Sequence, residues 1–338
     1  MGTSIEPLAT TDEEKQQKTH EFHATAHVLS GELKGPIQYI IDEHAPVAMK
    51  DERGGHHKQT KQDVNIEGLI SFKTGHSRVS GHKSPKEHRG WITLSTSVME
   101  GLNVFEVLTA DRVVAQVSTE HPYVNGHVPH VNFLGTRFEN LQVAGFPIRV
   151  NLNLEICGKR PAGDKPYLTD SGFLGKIQEQ VSSVANADFL PGDVKKEYRR
   201  RLDEIMVLRS SSAEVENLIS PRGESNDASP RRLKVTCSLV NSIDVKDIPI
   251  PGLKTVGNVL FIPEFGAVAL AEVEVGTELA ESKGFKRHVE TASNGNKKKD
   301  ERRVSHYFNL KMIDMTLGCV GHGNVIVNSA MANGNTKP

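Results

Sequence analysis

The chain has few of the residues that would tie a fold together covalently. Among its 338 residues there are three cysteines, Cys157, Cys237 and Cys319. Their odd number and wide spacing, without a Cys-x-x-Cys pair, argue against a disulfide framework. Each cysteine lies within or at the end of an apolar run, where a free thiol packs as a small hydrophobic group. We therefore expect a reducing, cytoplasmic location.

Aromatic residues, excess positive charge and long apolar runs are also scarce. One Trp and five Tyr provide few stacking platforms for single-stranded bases. The net charge of −1 lacks the positive excess of most nucleic-acid-binding proteins. The apolar runs are too short to span a membrane, and the polar stretch from Met1 to His20 does not resemble a secretory signal. We expect neither a nucleic-acid nor a membrane partner.

Alternation of apolar and polar residues is the clearest signal that is present. It is most regular over Pro147–Ile156, which predicts a strand with one face on a core and one in water. Trp91–Val98 also alternates, and its more apolar set is the expected core face. That set consists of Ile92, Leu94, Thr96 and Val98, opposite Trp91, Thr93, Ser95 and Ser97.

Strand patterns recur along most of the chain and are separated by Gly, Pro, Asn and Asp. Turn residues at such intervals favour hairpins and meanders over β-α-β units. We therefore predict a mainly β protein, an antiparallel β-sandwich or partly closed barrel. Within Tyr307–Leu317 the apolar residues change phase between Met312 and Ile313, which is the pattern of a β-bulge.

Helical periodicity is concentrated in Thr169–Ile219. One stripe begins at Phe173 after a candidate N-cap at Asp170 or Ser171, and a second begins at Val194 after Asp193. A third short helix is predicted over Ser212–Ile219. Both long stripes are one-sided, so we expect these helices to dock on the β body as a central insertion.

These signals divide the chain into four parts. They are a polar N-terminal segment (1–21), a first β region (22–158), a helical insertion and linker (159–232), and a second β region (233–333). The alternative is that residues 22–333 form one composite domain. The charged, Gly-containing stretch Lys50–Asp63 is predicted to be a loop. Asn140–Ile148 and Ser242–Ile250 share an apolar spacing that indicates either an internal repeat or two hairpins with the same turn chemistry.

Histidine is the one reactive residue type that is enriched, with 15 copies. His20, His23 and His27 would share a helix face, but the sequence around them favours a strand. His23 and His27 would then lie too far apart for a metal ion, whose ligand nitrogens converge at about 2.0–2.1 Å. We expect these three to be solvated.

The best candidate site is the loop around Asn125-Gly126. It groups His121, His127 and His130 as ligands for a divalent metal such as zinc, with Glu120 as a weak candidate for an acid–base or orienting role. The spacing matches no standard metal motif. A polar loop with ordinary hydrogen-bonded imidazoles would show the same residues.

Two functional hypotheses follow. In the first, the protein is a binding or assembly module that holds a small-molecule ligand or forms a homo-oligomer, because the sequence contains no standard catalytic motif and strand edges pair readily with other chains. In the second, it is a metal-dependent or acid–base enzyme that uses residues 120–130.

Overall fold

A computed structural model describes residues 19–35, 37–85, 90–122, 128–161, 165–211, 232–246, 248–280, 303–318 and 322–337. In these residues the protein is mostly β, with antiparallel sheets and two helices. Neither of the two helices described is long and apolar enough to cross a membrane. The predicted third helix (Ser212–Ile219), His127 and Cys319 fall outside the described residues.

The strands of the first β region are numbered in chain order. They are β1 (Thr19–Gly35), β2 (Tyr39–His44), β3 (Val47–Asp51), β4 (Gly55–Ile66), β5 (Ile70–Lys83), β6 (Trp91–Val104), β7 (Leu108–His121), β8 (His130–Asn132), β9 (Arg137–Glu139), β10 (Gln142–Val143), β11 (Phe146–Pro147) and β12 (Arg149–Leu152).

A short 3-10 helix (Tyr167–Thr169) and two α-helices, α1 (Ser171–Ala185) and α2 (Gly192–Ser210), come next. The remaining strands are β13 (Arg232–Ser238), β14 (Val240–Asp244), β15 (Lys254–Val256), β16 (Val259–Ile262), β17 (Gly266–Ala280), β18 (Arg303–Leu317) and β19 (His322–Lys337).

Two large antiparallel sheets form a sandwich. Sheet A runs β15-β16-β17-β18-β19-β1-β2, with β13 also on β17 and β3 also on β1. Sheet B runs β11-β10-β7-β6-β5-β4, with β8 and β9 on β7. Strands β1, β18 and β19 pack across β5, β6 and β7. Sheet A therefore contains strands from both β regions, and the first and last strands of the described chain lie side by side in it.

The buried apolar side chains form two separate clusters. The large core extends from Val28 and Leu29 through β6, β7 and β17–β19 to the helices. The small core lies at the start of β1 and consists of Phe22, Ala24, Ala26, Val47, Met49, Val79 and Trp91.

In four neighbouring strands of sheet A, the alternation of side chains between the two faces shifts by one residue. The four shifts lie side by side across the sheet. Met312 and Ile313 are adjacent and both fully buried, which confirms the predicted phase change in β18. The row continues through Ala271 in β17, Asn328 in β19 and Val28 in β1, and the pairing stays in register. Ala271 and Asn328 have positive φ values of 47° and 51°. A β-bulge would set two residues of one strand opposite one residue of the next, so the predicted bulge is wrong. The shift is a property of the sheet and not of one strand.

The prediction for the core face of β6 is wrong. Thr93, Ser95 and Ser97 are fully buried between the sheets, whereas Ile92 and Leu94 are half-buried on the outer face. The Ser95 hydroxyl donates to the Thr25 carbonyl over 2.7 Å, and that of Ser97 donates to the His27 carbonyl over 2.8 Å. Small hydroxyl side chains let the two sheets approach closely, and these hydrogen bonds offset the loss of water.

The segment with the most regular alternation forms only a short strand. Within Pro147–Ile156 the strand is β12, four residues that pair with β14 in a separate two-stranded sheet. The segment Asn140–Ile148 contains the β10–β11 hairpin, whereas Ser242–Ile250 contains the end of β14 and a turn. The two similar sequences thus differ in local structure.

The helices dock on sheet A as expected. In α1 the Asp170 carboxylate accepts a hydrogen bond from the Phe173 N–H over 2.7 Å, so Asp170 is the N-cap. The prediction of Asp193 as a cap is wrong, because α2 already begins at Gly192 after Pro191. The side chains Val194, Tyr198, Ile205 and Leu208 of α2 are buried, as the stripe predicted.

The predicted loop Lys50–Asp63 is also wrong over most of its length. Gly55 begins the edge strand β4, and its residues from Gly55 to Asp63 are exposed on both faces. A strand that is exposed to solvent on both faces has no alternation of apolar and polar residues, so its sequence resembles that of a loop. The lysines of β4 are typical of edge strands that resist pairing with other chains.

Candidate functional site

The outer face of sheet A carries three parallel rows of mainly polar side chains. Directly paired residues on neighbouring strands share a face, so the register defines each row. The first row is Ser238, Glu272, Lys311, Ser329 and His27; the second is Thr236, Glu274, Asn309, Met331, Thr25 and Ala48; the third is Lys234, Gly276, Tyr307, Asn333, His23 and Lys50.

An open cavity of about 500 Å³ lies on the part of this face that α1 and α2 leave uncovered. We call it the outer groove. Its floor is formed by β1, β18 and β19, and one wall is formed by the end of β2 with the start of β3. The described lining residues are His23, Thr25, Ala26, His27, Glu43, Pro46, Val47, Ala48, Glu274, Tyr307, Asn309, Ser329, Met331 and Asn333.

Glu274 is held in place from two sides at the edge of the outer groove. The Lys234 ammonium donates to one carboxylate oxygen over 2.6 Å, and the Tyr307 hydroxyl donates to the other over 3.0 Å. The carboxylate is therefore paired within the protein. Its negative charge is therefore not an unpaired charge in the groove.

His27 bridges the floor and the wall of the groove. Its Nε2 lies 2.9 Å from the Ser30 hydroxyl, and its Nδ1 lies 3.5 Å from a Glu43 carboxylate oxygen. Burial lowers the pKa of His27, Glu43 opposes that shift, and the nearby Lys311 lowers the pKa further. The net lowering leaves His27 neutral at pH 7, with one donor and one acceptor on its ring.

A buried polar cluster fixes α2 onto the same sheet face. The Arg201 guanidinium donates to both oxygens of Glu272, over 2.6 and 3.3 Å, and the Tyr198 hydroxyl donates to Glu272 over 2.9 Å. Burial by itself would raise the pKa of Glu272, but Arg201 and Tyr198 outweigh it and the pKa is lowered. Because these hydrogen bonds satisfy the buried charge, we interpret the cluster as the attachment of the helix.

A second cavity of about 390 Å³ lies between α2 and the sheet. Asp314 and Lys311 form an ion pair there, with 3.1 Å between Oδ2 and Nζ. Burial raises the pKa of Asp314, and Lys311 only partly offsets that effect. Each of these two charges, like those of Glu272 and Arg201, already has a partner within the protein.

The structure places the predicted loop residues on two different faces of sheet B. Glu120 and His130 are direct cross-strand partners in β7 and β8, so they lie together on the outer face. His121 follows Glu120 and points the other way, and it is 1% exposed between the sheets. His130 is exposed. The described residues therefore do not bring His121 and His130 together.

His121 instead lies beside a histidine that we expected to be solvated. His20 is 1% exposed, so that expectation is wrong. The His20 ring centroid is 4.7 Å from that of His121 and 5.1 Å from that of Trp91, on which it stacks. His306, 4% exposed, is the third histidine near this end of the sandwich. We call these three the histidine cluster.

Two members of the histidine cluster, His20 and His121, are buried in their neutral form. Burial, with a smaller contribution from the neighbouring His23, lowers the pKa of His20 to about 3. Burial also lowers the pKa of His121 well below its usual value, and His20 and His306 add to that shift. No group of three or more His, Cys, Asp or Glu residues in the described part of the chain has the arrangement of a metal site. The metal site at His121, His127 and His130 stays a prediction, because His127 lies outside the described residues.

The outer groove has no signature in the local sequence. Tyr307, Asn309 and Lys311 alternate with apolar residues in β18, but such alternation only shows that one strand face is polar. The groove forms because β1 and β18, which lie almost 300 residues apart, both pair with β19. No local pattern identifies such neighbours.

The fold and the groove define a class: a two-sheet antiparallel β-sandwich with a helical insertion docked on one sheet and an open polar groove beside it. The chain belongs to the family described as Domain of unknown function (DUF8256), whose model matches residues 20–276. Nothing matches the chain among curated proteins or among solved structures.

The family match ends within β17, before two strands that lie inside sheet A. In the order β17-β18-β19-β1, the strands β18 and β19 separate β17 from β1. They also carry Tyr307, Asn309, Ser329, Met331 and Asn333 of the outer groove. In this chain the sheet and the groove therefore require residues beyond 276.

Proposed function

We propose that the protein is a binding module that holds a small molecule in the outer groove. The observation that carries the proposal is the position of the cavity, which is open, polar and built on adjacent central strands. Its volume of about 500 Å³ lies in the range typical of small-molecule sites. Side chains on paired strands are fixed more rigidly than those on loops, which favours a pre-formed site.

Selective labelling of methionine methyl groups tests this function. The chain has seven methionines, of which Met331 lines the groove, whereas Met99, Met312 and Met315 are fully buried in the large core. A fragment library with anionic, cationic, neutral polar and apolar members is added to protein with 13C-labelled methionine methyl groups. We expect at least one class to shift the Met331 signal saturably and to leave the core methionines unmoved.

A blocking variant shows whether the shift comes from the groove. Thr25 is exposed on the groove floor, so Thr25→Trp fills the space without entering either core. Thr96→Trp, on the outer face of sheet B, is the matched control. The proposal predicts that Thr25→Trp abolishes the Met331 response and that Thr96→Trp retains it. A library that never moves Met331, or a response indifferent to Thr25→Trp, contradicts the function.

Self-association is a second candidate, supported by a different observation. The edge strand β2 carries Tyr39 and Ile40, which are 40% and 74% exposed, and exposed apolar edges favour pairing with another chain. The solution mass of the wild-type protein and of Ile40→Lys tests it. An oligomer that Ile40→Lys dissociates supports self-association, and a wild-type monomer at high concentration refutes it.

We also propose that the protein is located in the cytoplasm. Its support is that the described cysteines, Cys157 and Cys237, are free and buried.

A further inference from the structure

We infer that the ligand of the outer groove is an uncharged, hydroxyl-rich compound of the sugar or polyol class. The inference rests on the proposed function, because it names the chemistry of the molecule bound at that same site. Three properties of the lining carry it: the balance of charge, the kind of hydrogen-bonding groups and the apolar surface between them.

The lining offers little to a charged ligand. None of the described lining residues is Lys or Arg, and the Lys311 ammonium in the first row is already paired with Asp314 at 3.1 Å. Glu274 is already paired with Lys234 at 2.6 Å. Glu43 has a side chain that is 58% exposed at the rim, beside His27, where water screens its charge. A ligand charge placed on the groove floor would lose hydration without gaining a partner.

The hydrogen-bonding groups on the floor are of the kind that both donate and accept. Hydroxyl and amide side chains have donors and acceptors in the same group, and the floor displays Thr25, Asn309 and Ser329. A ligand hydroxyl also donates and accepts, so each contact can form in either direction. Within the protein, Ser329 donates to the Asn309 Oδ1 over 3.1 Å, which leaves the Asn309 NH₂ group with donor capacity for a ligand.

Apolar surface lies among these polar groups. Met331 lies in the second row, between Asn309 and Thr25, and Pro46 and Ala48 contribute to the wall. Sugars present C–H faces next to their hydroxyl groups, so they can use both kinds of surface. A purely polar lining would not favour such a ligand over water.

The experiment compares ligands that are similar in hydroxyl content and differ in charge. Glucose, glucuronate and N-methylglucamine are neutral, anionic and cationic at pH 7.5, and galactose, N-acetylglucosamine and inositol extend the neutral set. Each is titrated against the methionine-labelled protein. We expect one or more neutral compounds to shift the Met331 signal saturably, and the charged compounds to bind at least tenfold more weakly.

A conservative variant locates the contact. Thr25→Val keeps the branched shape and removes the hydroxyl, and Thr96→Val makes the same change on the outer face of sheet B. Loss of one hydrogen bond changes affinity by about fivefold, so Thr25→Val should weaken binding of the neutral compound by about that factor. Thr96→Val should leave the affinity unchanged.

The possible results separate the two proposals. If glucuronate or N-methylglucamine binds more tightly than every neutral compound, the ligand class is wrong and the function stands. The same conclusion follows if only a non-hydroxylated fragment from the library shifts Met331. If neither the sugars nor the library moves Met331, both proposals fail. Equal weakening by Thr25→Val and Thr96→Val would also overturn the assigned contact.

Discussion

The two cores of the sandwich differ in how they hold the sheets together. The large core is a continuous set of apolar side chains that reaches from the sheets to both helices. The small core contains seven residues, and around it the space between the sheets is lined by buried Ser, Thr and His side chains. The large core depends on apolar area, whereas the small core depends on close approach, hydrogen bonds and the neutrality of its histidines. We therefore expect the end of the sandwich around the small core to be more sensitive to pH than the end around the large core.

The largest single-site effect is expected in the large core. Leu102 is 2% exposed in β6, and Leu102→Ala should lower the free energy of unfolding by about 2–5 kcal/mol, because it removes buried area and leaves a cavity. Urea denaturation at pH 7.5 measures this loss. Val79→Ala in the small core is the comparison and should cost less. An equal or larger loss at Val79 would contradict the distinction between the cores.

Acid should weaken the protein through the small core. The pKa of His20 is lowered to about 3, and that of His121 is also lowered. Below pH 6.5 the unfolded chain therefore binds protons that the folded chain does not, and the free energy of unfolding falls as the pH falls. Each such histidine contributes about 1.4 kcal/mol per pH unit below 6.5.

Urea midpoints between pH 7.5 and pH 4.5 measure this slope, with His20→Gln as the test variant. His57→Gln, at an exposed position in β4, is the matched control. The slope should become shallower in His20→Gln and should be unchanged in His57→Gln. A slope identical in the wild type and in His20→Gln would show that His20 is not a source of acid sensitivity.

Gly334 should tolerate no side chain, because the histidine cluster occupies the space. A Cβ atom added at Gly334 would lie 2.4 Å from His20 Nε2 and 2.9 Å from His121 Cε1. The His20 ring is held by Trp91 and Phe22, so Gly334→Ala should destabilise by about 1–3 kcal/mol through overpacking.

A matched glycine in open surroundings provides the control for this clash. Gly175 lies within α1, and an added Cβ there meets nothing within 4 Å. Gly175→Ala should stabilise the protein by about 0.5–1 kcal/mol, because alanine loses less backbone entropy in a helix. Thermal unfolding of both variants should show opposite signs. Two shifts of the same sign would argue against the clash.

The smallest effect concerns two buried hydroxyl groups near the small core. The Thr93 Oγ1 has no hydrogen-bond partner among the described residues, whereas Ser97 donates to the His27 carbonyl. Thr93→Val should therefore be neutral or stabilising by up to about 1 kcal/mol, and Ser97→Ala should destabilise by about 1 kcal/mol. Chemical denaturation distinguishes the two signs. Destabilisation by Thr93→Val would mean that its hydroxyl has a partner.

The class of fold was predictable because it depends on local periodicity. Turn residues between alternating segments indicated hairpins, and the phase change at Met312 and Ile313 was visible in the sequence alone. The core face of β6 was not predictable, because Ser95 and Ser97 face inward and donate hydrogen bonds to carbonyl groups on β1. In that case a tertiary contact outweighed hydropathy.

The spatial neighbours of the candidate site residues were not predictable from the local sequence for the same reason. Clustering along the chain pointed to Glu120, His121, His127 and His130, yet alternation in β7 places His121 on the face opposite to Glu120. His20 and His121, about 100 residues apart in sequence, became neighbours through packing of the two sheets. Histidines close in sequence are therefore poor evidence for a shared site in a protein made of strands.

The sequence by itself determined the β character, the antiparallel hairpins and the docked helical insertion, because each follows from side-chain period and turn chemistry within a short window. Only the tertiary structure decided which strands are neighbours, which polar residues are buried, and where an open groove forms. Those features depend on pairing between β1, β18 and β19 and on the distance between two sheets, and no local pattern encodes either.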